Sequence, residues 1–457
     1  MKPIQKHPAS YRDSSGFLFY KEGKLYRQIN LGFKNDFIHF QNSGLYDSLI
    51  AKKILIPHQL VPENLNSSNE WFQTIEPEQI PFISYPYEWC FDMWKDAALI
   101  TLEAAKEAMK YQMIIKDASA FNVQWHQGKM TFIDTLSFER YNEKMPWIAY
   151  RQFCEHFLAP LALMHYLKYP IQNIFSSFPE GIPLHFTKKL LPFKSNFDLH
   201  IFLHLHLQAN QMKRQGKLNK NSINNFSQKK LTNIIDSLTS AVNSLTLDEP
   251  TGVWSDYYHE AEQRENYLAE KKRIIDEWIN KLPIVTAIDA GANEGLFSDI
   301  LSSKGIYTIS TDFDHYSINR LYKRIKSENN KNIHPLILDL SNPSPSIGVN
   351  NEERASFTER TSADMVLALA LIHHLAIGKN MPFASIAQLF RSWGKSLIIE
   401  FVPKSDEKVQ SMLIDKKDIY HWYTEADFKH AFAEVFNLVQ SNEIGNSGRT
   451  LYLMEAR

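Results

Sequence analysis

Glycines and acidic residues in the C-terminal half follow one another at a spacing suited to binding a nucleoside-containing cofactor. An apolar run at 284–288 leads directly into the turn Asp289–Gly295, which reads DAGANEG. Gly291 and Gly295 allow the backbone to turn tightly and to approach a ligand closely. The helix predicted after this turn would offer free N–H groups to an anionic group such as a carboxylate. We therefore predict a cofactor-binding turn, with Asn293 between its two glycines.

Two further acidic residues end the next two predicted strands. Asp312 lies about twenty residues after the glycine turn, where a carboxylate can accept both hydroxyls of a ribose. Asp339 ends the third strand, where its carboxylate or the amide of Leu340 can meet an adenine amino group. Asp289, Asp312 and Asp339 would then share the carboxyl edge of a parallel sheet, the edge at which open α/β sheets bind ligands. The alternatives are an ordinary strand-to-helix turn and a dinucleotide site, although the Gly-x-Gly-x-x-Gly motif of the latter is absent here.

Two histidines and a glutamate follow the fourth and fifth predicted strands. His373 and His374 come directly after the fourth strand, and Glu400 ends the fifth. An unperturbed imidazole titrates near neutral pH, so either histidine is a candidate general base, with His373 slightly favoured. The histidines would equally well shape a pocket or hydrogen-bond a backbone carbonyl. We predict that Glu400 contacts the substrate.

Polar residues in the N-terminal half have the order of a phosphoryl-transfer site. Asp117 is followed five residues later by Asn122, and Asp134 comes after a predicted hairpin. This stretch resembles the catalytic core of protein kinases and small-molecule kinases, in which such residues accept the substrate proton and bind magnesium, and it implies Mg-ATP as a ligand. No glycine-rich phosphate loop precedes it, and Arg27 or Lys53 would have to replace the phosphate-binding lysine. The alternative is that these residues cap helices and turns.

The elements that would position these residues differ between the two halves. Short apolar runs alternate with helical segments after residue 284, which predicts an α/β fold with a mostly parallel sheet of seven strands in a Rossmann-like arrangement. The N-terminal half mixes hairpins with helices and predicts an α+β domain, in which Ile80–Tyr87 forms a strand and Asp96–Gln112 a helix. A charged helix is predicted over Ser255–Leu282. The predicted boundaries are a first domain at 1–207, a polar linker with a helix at 208–250 and a second domain at 251–457.

Composition limits the classes of function. The 457 residues carry a formal net charge of −1, and 44% of them are hydrophobic, enough for two or three buried cores. This balance gives no footprint for duplex nucleic acid or for an anionic membrane surface. Cys90 and Cys154 form neither a disulfide framework nor a zinc-binding motif. We see no signal peptide and no membrane-spanning run, and we expect a cytoplasmic protein.

The set of residues at the predicted strand ends resembles the cofactor site of class I S-adenosylmethionine (SAM)-dependent methyltransferases. The whole chain is similar to a bacterial family of such enzymes, related to nodulation-type methyltransferases, that carries an N-terminal kinase-like module. The resemblance is most evident in Ile80–Trp89, Lys116–Glu139, Tyr150–Met164, Asn342–Arg354 and Ala368–Ile377. It implies that SAM is the cofactor and that methyl transfer requires no metal.

The resemblance implies methyl transfer to an acceptor that the sequence does not identify, with a small molecule or a saccharide favoured. The N-terminal module would position this substrate. One alternative is a bifunctional kinase and methyltransferase that acts on a glycan or a lipid-linked saccharide. Another is a methyltransferase fused to a non-catalytic pseudokinase scaffold. The chain lacks the Asn/Asp-Pro-Pro-Tyr/Phe motif of enzymes that methylate amino groups of nucleic acids.

Overall fold

The computed structural model describes residues 6–143, 145–212, 226–248, 266–414 and 416–457. The chain divides into two compact units. The first comprises the chain up to Asp248 together with Ser346–Ala355, and the second comprises Glu249–Pro345 and Ser356–Arg457. A short excursion of the C-terminal half therefore belongs to the first unit.

Antiparallel strands build the sheets of the first unit. They are β1 (Gly16–Lys21), β2 (Lys24–Asn30), β3 (His58–Val61), β4 (Trp71–Pro77), β5 (Met113–Ile115), β6 (Val123–His126), β7 (Lys129–Phe132) and β8 (Phe138–Arg140). A four-stranded sheet has the order β1-β2-β4-β3, while β5 pairs with β8 and β6 with β7. The turn between β1 and β2 passes through Glu22 and Gly23, both at positive φ. This is one of the hairpins expected in the N-terminal half.

Helices make up most of the rest of the first unit. The α-helices are α1 (Lys34–Asn42), α2 (Leu45–Ala51), α3 (Phe91–Lys110), α4 (Tyr150–Phe153), α5 (Ala159–Leu167), α6 (Gln172–Ser176), α7 (Leu184–Leu190), α8 (Leu199–Ile201), α9 (Gln208–Met212) and α10 (Gln228–Ser244). Turns of π-helix at Cys154–Leu158 and Phe202–Leu207 continue α4 and α8. The helix predicted from Asp96 is present as α3, although it begins earlier, at Phe91.

The helix expected within 208–250 is present as α10, which belongs to the first unit. A stripe of apolar side chains at helical spacing is buried along it: Leu231, Ile235, Leu238 and Val242. Such a stripe requires a covering surface, and α10 packs beside α3, where Lys95 Nζ donates to the Asn243 carbonyl at 3.0 Å. The stretches 213–225 and 249–265 lie outside the described residues, and with them the polar part of the predicted linker and the start of the helix predicted from Ser255.

The strand predicted at Ile80–Tyr87 is wrong. This stretch is irregular up to the 3₁₀ turn Pro86–Glu88. Its two prolines cannot donate to a strand ladder. Side chains satisfy its backbone instead, since Ser84 N–H donates to Gln124 Oε1 at 2.9 Å and Tyr85 N–H donates to Glu88 Oε2 at 2.8 Å.

One mixed sheet forms the centre of the second unit. Its strands are β9 (Thr286–Ala290), β10 (Tyr307–Asp312), β11 (Ile333–Ile337), β12 (Ala363–Ala368), β13 (Gly394–Phe401), β14 (Phe436–Glu443) and β15 (Thr450–Ala456). The order is β11-β10-β9-β12-β13-β15-β14, and β15 runs opposite to the other six strands. The predicted α/β class with a mostly parallel sheet is confirmed for this half.

Helices of the second unit alternate with its strands. They are α11 (Tyr267–Ile279), α12 (Leu296–Ser303), α13 (His315–Ser327), α14 (Phe357–Arg360), α15 (Phe383–Trp393), α16 (Glu407–Leu413) and α17 (Glu425–Ala433). The strand β9 lies between β10 and β12, so the chain reverses its direction of winding at this point. Open α/β sheets have a ligand crevice there, at the carboxyl ends of the strands.

Among the described residues, every helix is too short or too polar to cross a membrane.

Candidate functional site

The turn after β9 is shaped by residues with left-handed backbone. The φ angle is 78° at Gly291, 51° at Asn293 and 84° at Gly295. Gly291 N–H donates to the Thr311 carbonyl at 2.8 Å, which fastens the turn to β10. A Cβ at Gly295 would lie 2.7 Å from Leu321 Cδ1. Glycine is therefore required at 295 both for its backbone conformation and for the close approach of α13.

Asp289 lies buried at the carboxyl end of β9. Ser298 Oγ donates to its Oδ2 at 2.6 Å, and Ser310 Oγ donates in turn to Ser298 Oγ at 2.7 Å. Burial raises the pKa of Asp289 to about 6, although the Ser298 hydrogen bond opposes the increase. The carboxylate is therefore charged at neutral pH only at a cost in free energy, which a ligand with matching donors would reduce.

Asp312 joins the glycine turn to the segment after β10. Its Oδ2 accepts from Asn293 N–H and its Oδ1 accepts from Asp314 N–H, both at 2.9 Å. Burial raises the pKa of Asp312, and these two hydrogen bonds limit the increase. Each carboxylate oxygen can accept more than one hydrogen bond, so the side chain remains able to receive the hydroxyls of a ligand.

Asp339 follows β11 at the same edge of the sheet. Its Oδ1 accepts from the N–H and the Oγ of Ser341, at 2.9 and 2.6 Å. Burial alone would raise the pKa of Asp339, but the hydrogen bonds from Ser341 lower it. A cavity of about 280 Å³ lies along this edge, and its lining includes Asp289, Gly291, Asn293, Asp312, Asp339 and Leu340. The structure thus brings these residues together, whereas Gly295 shapes the turn without lining the cavity.

Of the two candidate histidines, His374 lines the cavity and His373 does not. His373 is buried, and its Nδ1 has no hydrogen-bond partner in the part of the chain that the structure describes. Burial lowers the pKa of His373 to about 3 and also lowers the pKa of His374. Both imidazoles are therefore neutral near pH 7, and His373 is the much weaker base. As the candidate general base, His374 is favoured by the geometry, whereas His373 was slightly favoured by the sequence.

Glu400 is fully buried and does not line the cavity, in contrast to the predicted contact with a substrate. Lys271 Nζ donates to its Oε2 at 2.5 Å and Ala370 N–H donates to the same oxygen at 2.9 Å. The hydroxyl of Tyr267 donates to Oε1, and Arg449 Nη1 also donates to Oε1, at 3.3 Å. Burial alone would raise the pKa of Glu400, but Lys271 and Arg449 together lower it to about 2. Glu400 therefore holds neighbouring segments of the protein in place.

Three residues around Glu400 were missed by sequence reasoning. Tyr267 and Lys271 line the cavity from α11, and Arg449 comes from the turn before β15, where its Nε donates to Asp406 Oδ2 at 2.8 Å. One signal was present in the sequence. Lys271 occupies a position on the apolar stripe of an amphipathic helix, where a lysine requires a buried partner.

In the first unit, Asp117 and Asn122 lie close together but are engaged with protein groups. Asn122 Nδ2 donates to the Asp117 carbonyl at 3.3 Å, and Gln152 Nε2 donates to Asp117 Oδ1 at 2.7 Å. Burial raises the pKa of Asp117, and the negative charge of Asp134 adds to the increase. The carboxylates of Asp117 and Asp134 therefore interact through their like charges.

A cation of the protein itself already pairs with Asp134. The guanidinium of Arg27 contacts Asp134 Oδ1 and reaches Asp13 Oδ2 at 3.0 Å. Of the two basic residues considered from the sequence, Arg27 is thus the one that meets the acidic group. Within the described ranges, no cluster of three or more histidine, cysteine or acidic side chains has the arrangement of a metal site.

The buried carboxyl of Asp289 predicts how stability depends on pH. Its folded pKa of about 6 exceeds the unfolded value near 4, so the folded state holds a proton that the unfolded state releases between these values. Wild-type stability should therefore fall as the pH rises from 4 to 6, while Asp289→Asn lacks this loss. Relative to wild type, we expect the variant to gain about 3 kcal/mol between pH 4 and pH 7 in urea unfolding. Glu434→Gln, at an exposed position, is the control. Parallel pH profiles for wild type and Asp289→Asn would contradict the assignment.

Comparison with known proteins identifies one relative along nearly the whole chain. Nodulation protein NoeA of Rhizobium meliloti (strain 1021) is 31% identical over 455 residues, which cover 98% of this chain and 95% of that protein. No family model matches the chain.

Similar solved structures are more distant. WbdD, described as a bifunctional kinase-methyltransferase, is 17% identical over 42% of this chain and 39% of its own, with a TM-score of 0.26. Magnesium protoporphyrin IX methyltransferase (ChlM) from Synechocystis PCC 6803, solved with bound SAH, is 14% identical over 46% and 90%, with a TM-score of 0.31. The methyltransferase domain of bacterial CtHen1 is 14% identical over 42% and 99%, also with a TM-score of 0.31. This chain spans about two fifths of the length of WbdD.

The likeness to NoeA extends through both units and is not confined to the cofactor crevice. The chain belongs to the family of nodulation protein NoeA.

Proposed function

We propose that this protein transfers the methyl group of SAM to a small-molecule or saccharide acceptor bound at the mouth of the cavity in the second unit. The observation that carries the proposal is the convergence of Asp289, Gly291, Asp312 and Asp339 on one cavity at the carboxyl ends of adjacent strands. Three carboxylates and a glycine turn at this switch point suit a ligand that combines an amino acid, a ribose and an adenine.

The lining of the cavity fits SAM part by part. The turn at Gly291 and the Asp289 carboxylate would hold the amino-acid end, Asp312 would accept the ribose hydroxyls, and Asp339 with the amide of Leu340 would meet the adenine. Bound SAM supplies an electrophilic methyl group. The chain's own contribution is to exclude water and to align the acceptor, which accounts for most of the rate enhancement in such transfers.

His374 is the side chain best placed to hold a proton of the acceptor. It lines the cavity, and its lowered pKa leaves the imidazole neutral at pH 7. A neutral imidazole accepts a proton from a hydroxyl or an amine as the new bond forms. His373 and Glu400 would support the site from behind its lining, since neither lines the cavity.

For the first unit, the contacts of Asp134 favour a kinase-like module that positions the substrate and transfers no phosphate. Asp117 and Asn122 lie between β5 and β6, and Asp134 follows β7, so the β6–β7 hairpin separates them in the order expected for a kinase-like core. The guanidinium of Arg27 occupies one side of Asp134, where a kinase would bind a magnesium ion. The alternative, a bifunctional kinase and methyltransferase, requires Arg27 to release that carboxylate.

Cofactor binding tests the main proposal directly. Calorimetry should show that the wild-type chain binds both SAM and S-adenosylhomocysteine. Gly291→Arg should weaken both affinities by at least about two orders of magnitude, because a Cβ at 291 already lies 3.3 Å from Leu371 Cδ1 in a positive-φ turn. Gly305→Arg is the matched control, since Gly305 has φ +77° and no atom within 4 Å of its Cβ. Failure of the wild type to bind either ligand, or equal binding by Gly291→Arg, would refute the proposal.

The role of His374 is tested by methyl transfer. Cell-envelope and metabolite extracts incubated with radiolabelled SAM should identify an acceptor, and His374→Asn should slow transfer to it by about 100-fold or more while SAM affinity is retained. His421→Asn, at an exposed position, is the control. A larger loss in His373→Asn than in His374→Asn would transfer the role to His373.

A thermal-shift assay distinguishes the two proposals for the first unit. We expect Mg-ATP to leave the melting temperature unchanged and S-adenosylhomocysteine to raise it, because only a ligand that binds the folded state stabilises it. A rise with Mg-ATP that is abolished by Asp134→Ala would favour the bifunctional enzyme instead.

A further inference from the structure

Large apolar side chains are exposed in an unusual concentration between residues 193 and 203 of the first unit. Phe193, Phe197 and Leu199 are 78%, 79% and 66% exposed, and Phe202 and Leu203 are also exposed. Single exposed apolar residues are common on protein surfaces, whereas a contiguous group marks an interaction site. We call these five side chains the 193–203 face.

The five side chains of the 193–203 face form two adjoining groups. The rings of Phe193 and Phe197 meet edge to face, with centroids 5.6 Å apart. Leu199, Phe202 and Leu203 follow at positions i, i+3 and i+4 of one helical segment and so share one side of it. The opposite side of that segment is packed into the protein through Ile201, His204 and Leu205. The helical segment therefore carries apolar side chains on both sides. The side with Ile201 and Leu205 is covered by the protein, and the side with Leu199, Phe202 and Leu203 is exposed.

Three lysines lie near the 193–203 face, either in its own sequence or in the adjoining helix α7. Lys188 and Lys189 lie in α7, which packs against the helical segment that carries Phe202, and Lys194 lies between the two phenylalanines in sequence. From Leu184 to Met212 the sequence has these three lysines and a single acid, Asp198. The carboxylate of Asp198 caps the following helix by accepting from the N–H groups of His200 and Ile201. The stretch 184–212 is thus locally basic and rich in apolar residues, although the net charge of the whole chain is −1.

We propose that the 193–203 face docks onto the surface of an anionic phospholipid bilayer. Exposed phenylalanines and leucines insert at the boundary between headgroups and acyl chains, and neighbouring lysines add attraction to anionic headgroups. The two exposed aromatic rings and the apolar side of the helical segment suit insertion below the headgroups. The excess of three lysines over one acid suits the negative charge of the headgroups. This inference does not depend on the proposed methyl transfer.

Segment 213–225 follows the face most closely in sequence. That segment lies outside the described residues, and its only large apolar side chains are Leu218 and Ile223. A second protein surface would have to bring apolar groups together with acidic groups to match the lysines. An anionic bilayer supplies apolar acyl chains and negative charges together, whichever way the protein is rotated on its surface. We therefore favour a bilayer over a protein partner.

Vesicle flotation of the full-length chain tests the proposal. The probes are vesicles of phosphatidylcholine alone and vesicles of equal parts phosphatidylcholine and phosphatidylglycerol. We expect the wild type to float with the mixed vesicles and to remain at the bottom with phosphatidylcholine alone. The double variant Phe193→Ser/Phe197→Ser should bind mixed vesicles at least about tenfold more weakly, because it lacks the two most exposed rings of the face. Lys189→Glu/Lys194→Glu should weaken binding by about 25-fold or more, since each lysine near such a surface contributes about fivefold.

A control variant tests whether vesicle binding depends on the 193–203 face in particular. Ile148→Ser removes an apolar side chain of the first unit that is 71% exposed but lies outside the 193–203 face, and it should bind vesicles like the wild type. All variants should keep the wild-type melting temperature, because the substituted side chains are exposed. No flotation of the wild type with mixed vesicles, or equal flotation of Phe193→Ser/Phe197→Ser, would overturn the proposal. Absence of vesicle binding together with a dimer that Phe193→Ser/Phe197→Ser dissociates would also overturn it, by showing that a second copy of the chain covers the face.

Discussion

The buried side chain of Glu400 holds together the edge of the second unit's sheet at which the parallel strands end. Glu400 connects β13 to α11 through Lys271, to the turn before β15 through Arg449 and to the end of β12 through Ala370 N–H. A buried charge is tolerated only when its partners are in place, and removing one partner of such a group typically costs about 3–5 kcal/mol. The cavity beside β9 therefore depends on a charge that does not line it. Its lining is fixed from within the protein.

The sequence predicted the features that depend on local order along the chain. Alternating strands and helices, the glycine turn after β9 and the acids at the strand ends all follow from spacings of a few residues, and the structure places them as expected. The partners of Glu400 could not be found in this way, because Lys271 and Arg449 lie far from it in sequence and meet it only through folding. The irregular stretch at Ile80–Tyr87 was missed for a related reason. Its backbone is satisfied by a distant glutamine side chain, which no local pattern reveals.

Aspartates in the two units differ in whether their carboxylates are already engaged by other side chains of the protein. In the second unit, Asp289 and Asp312 line a cavity and keep the capacity to accept donors from a ligand. In the first unit, Asp134 is already paired with Arg27, and Asp117 accepts from the side chain of Gln152. A motif in the sequence records only which side chains are present. Whether a carboxylate is available for chemistry depends on the cations and amides that the fold brings to it.

The excursion at Ser346–Ala355 has a consequence for the order of folding during synthesis. Within the first unit, Arg12 pairs with Glu353 at 3.2 Å, and the guanidinium of Arg354 lies 4.3 Å from the centre of the Phe121 ring. These partners leave the ribosome about a hundred residues after Asp248, the last residue of the unit's continuous part. At elongation rates of about 5–20 residues per second this is a delay of roughly 5 to 20 seconds. The amino-terminal unit is therefore translated early but acquires its last contacts late, when most of the sheet that encloses the cofactor crevice is still unmade.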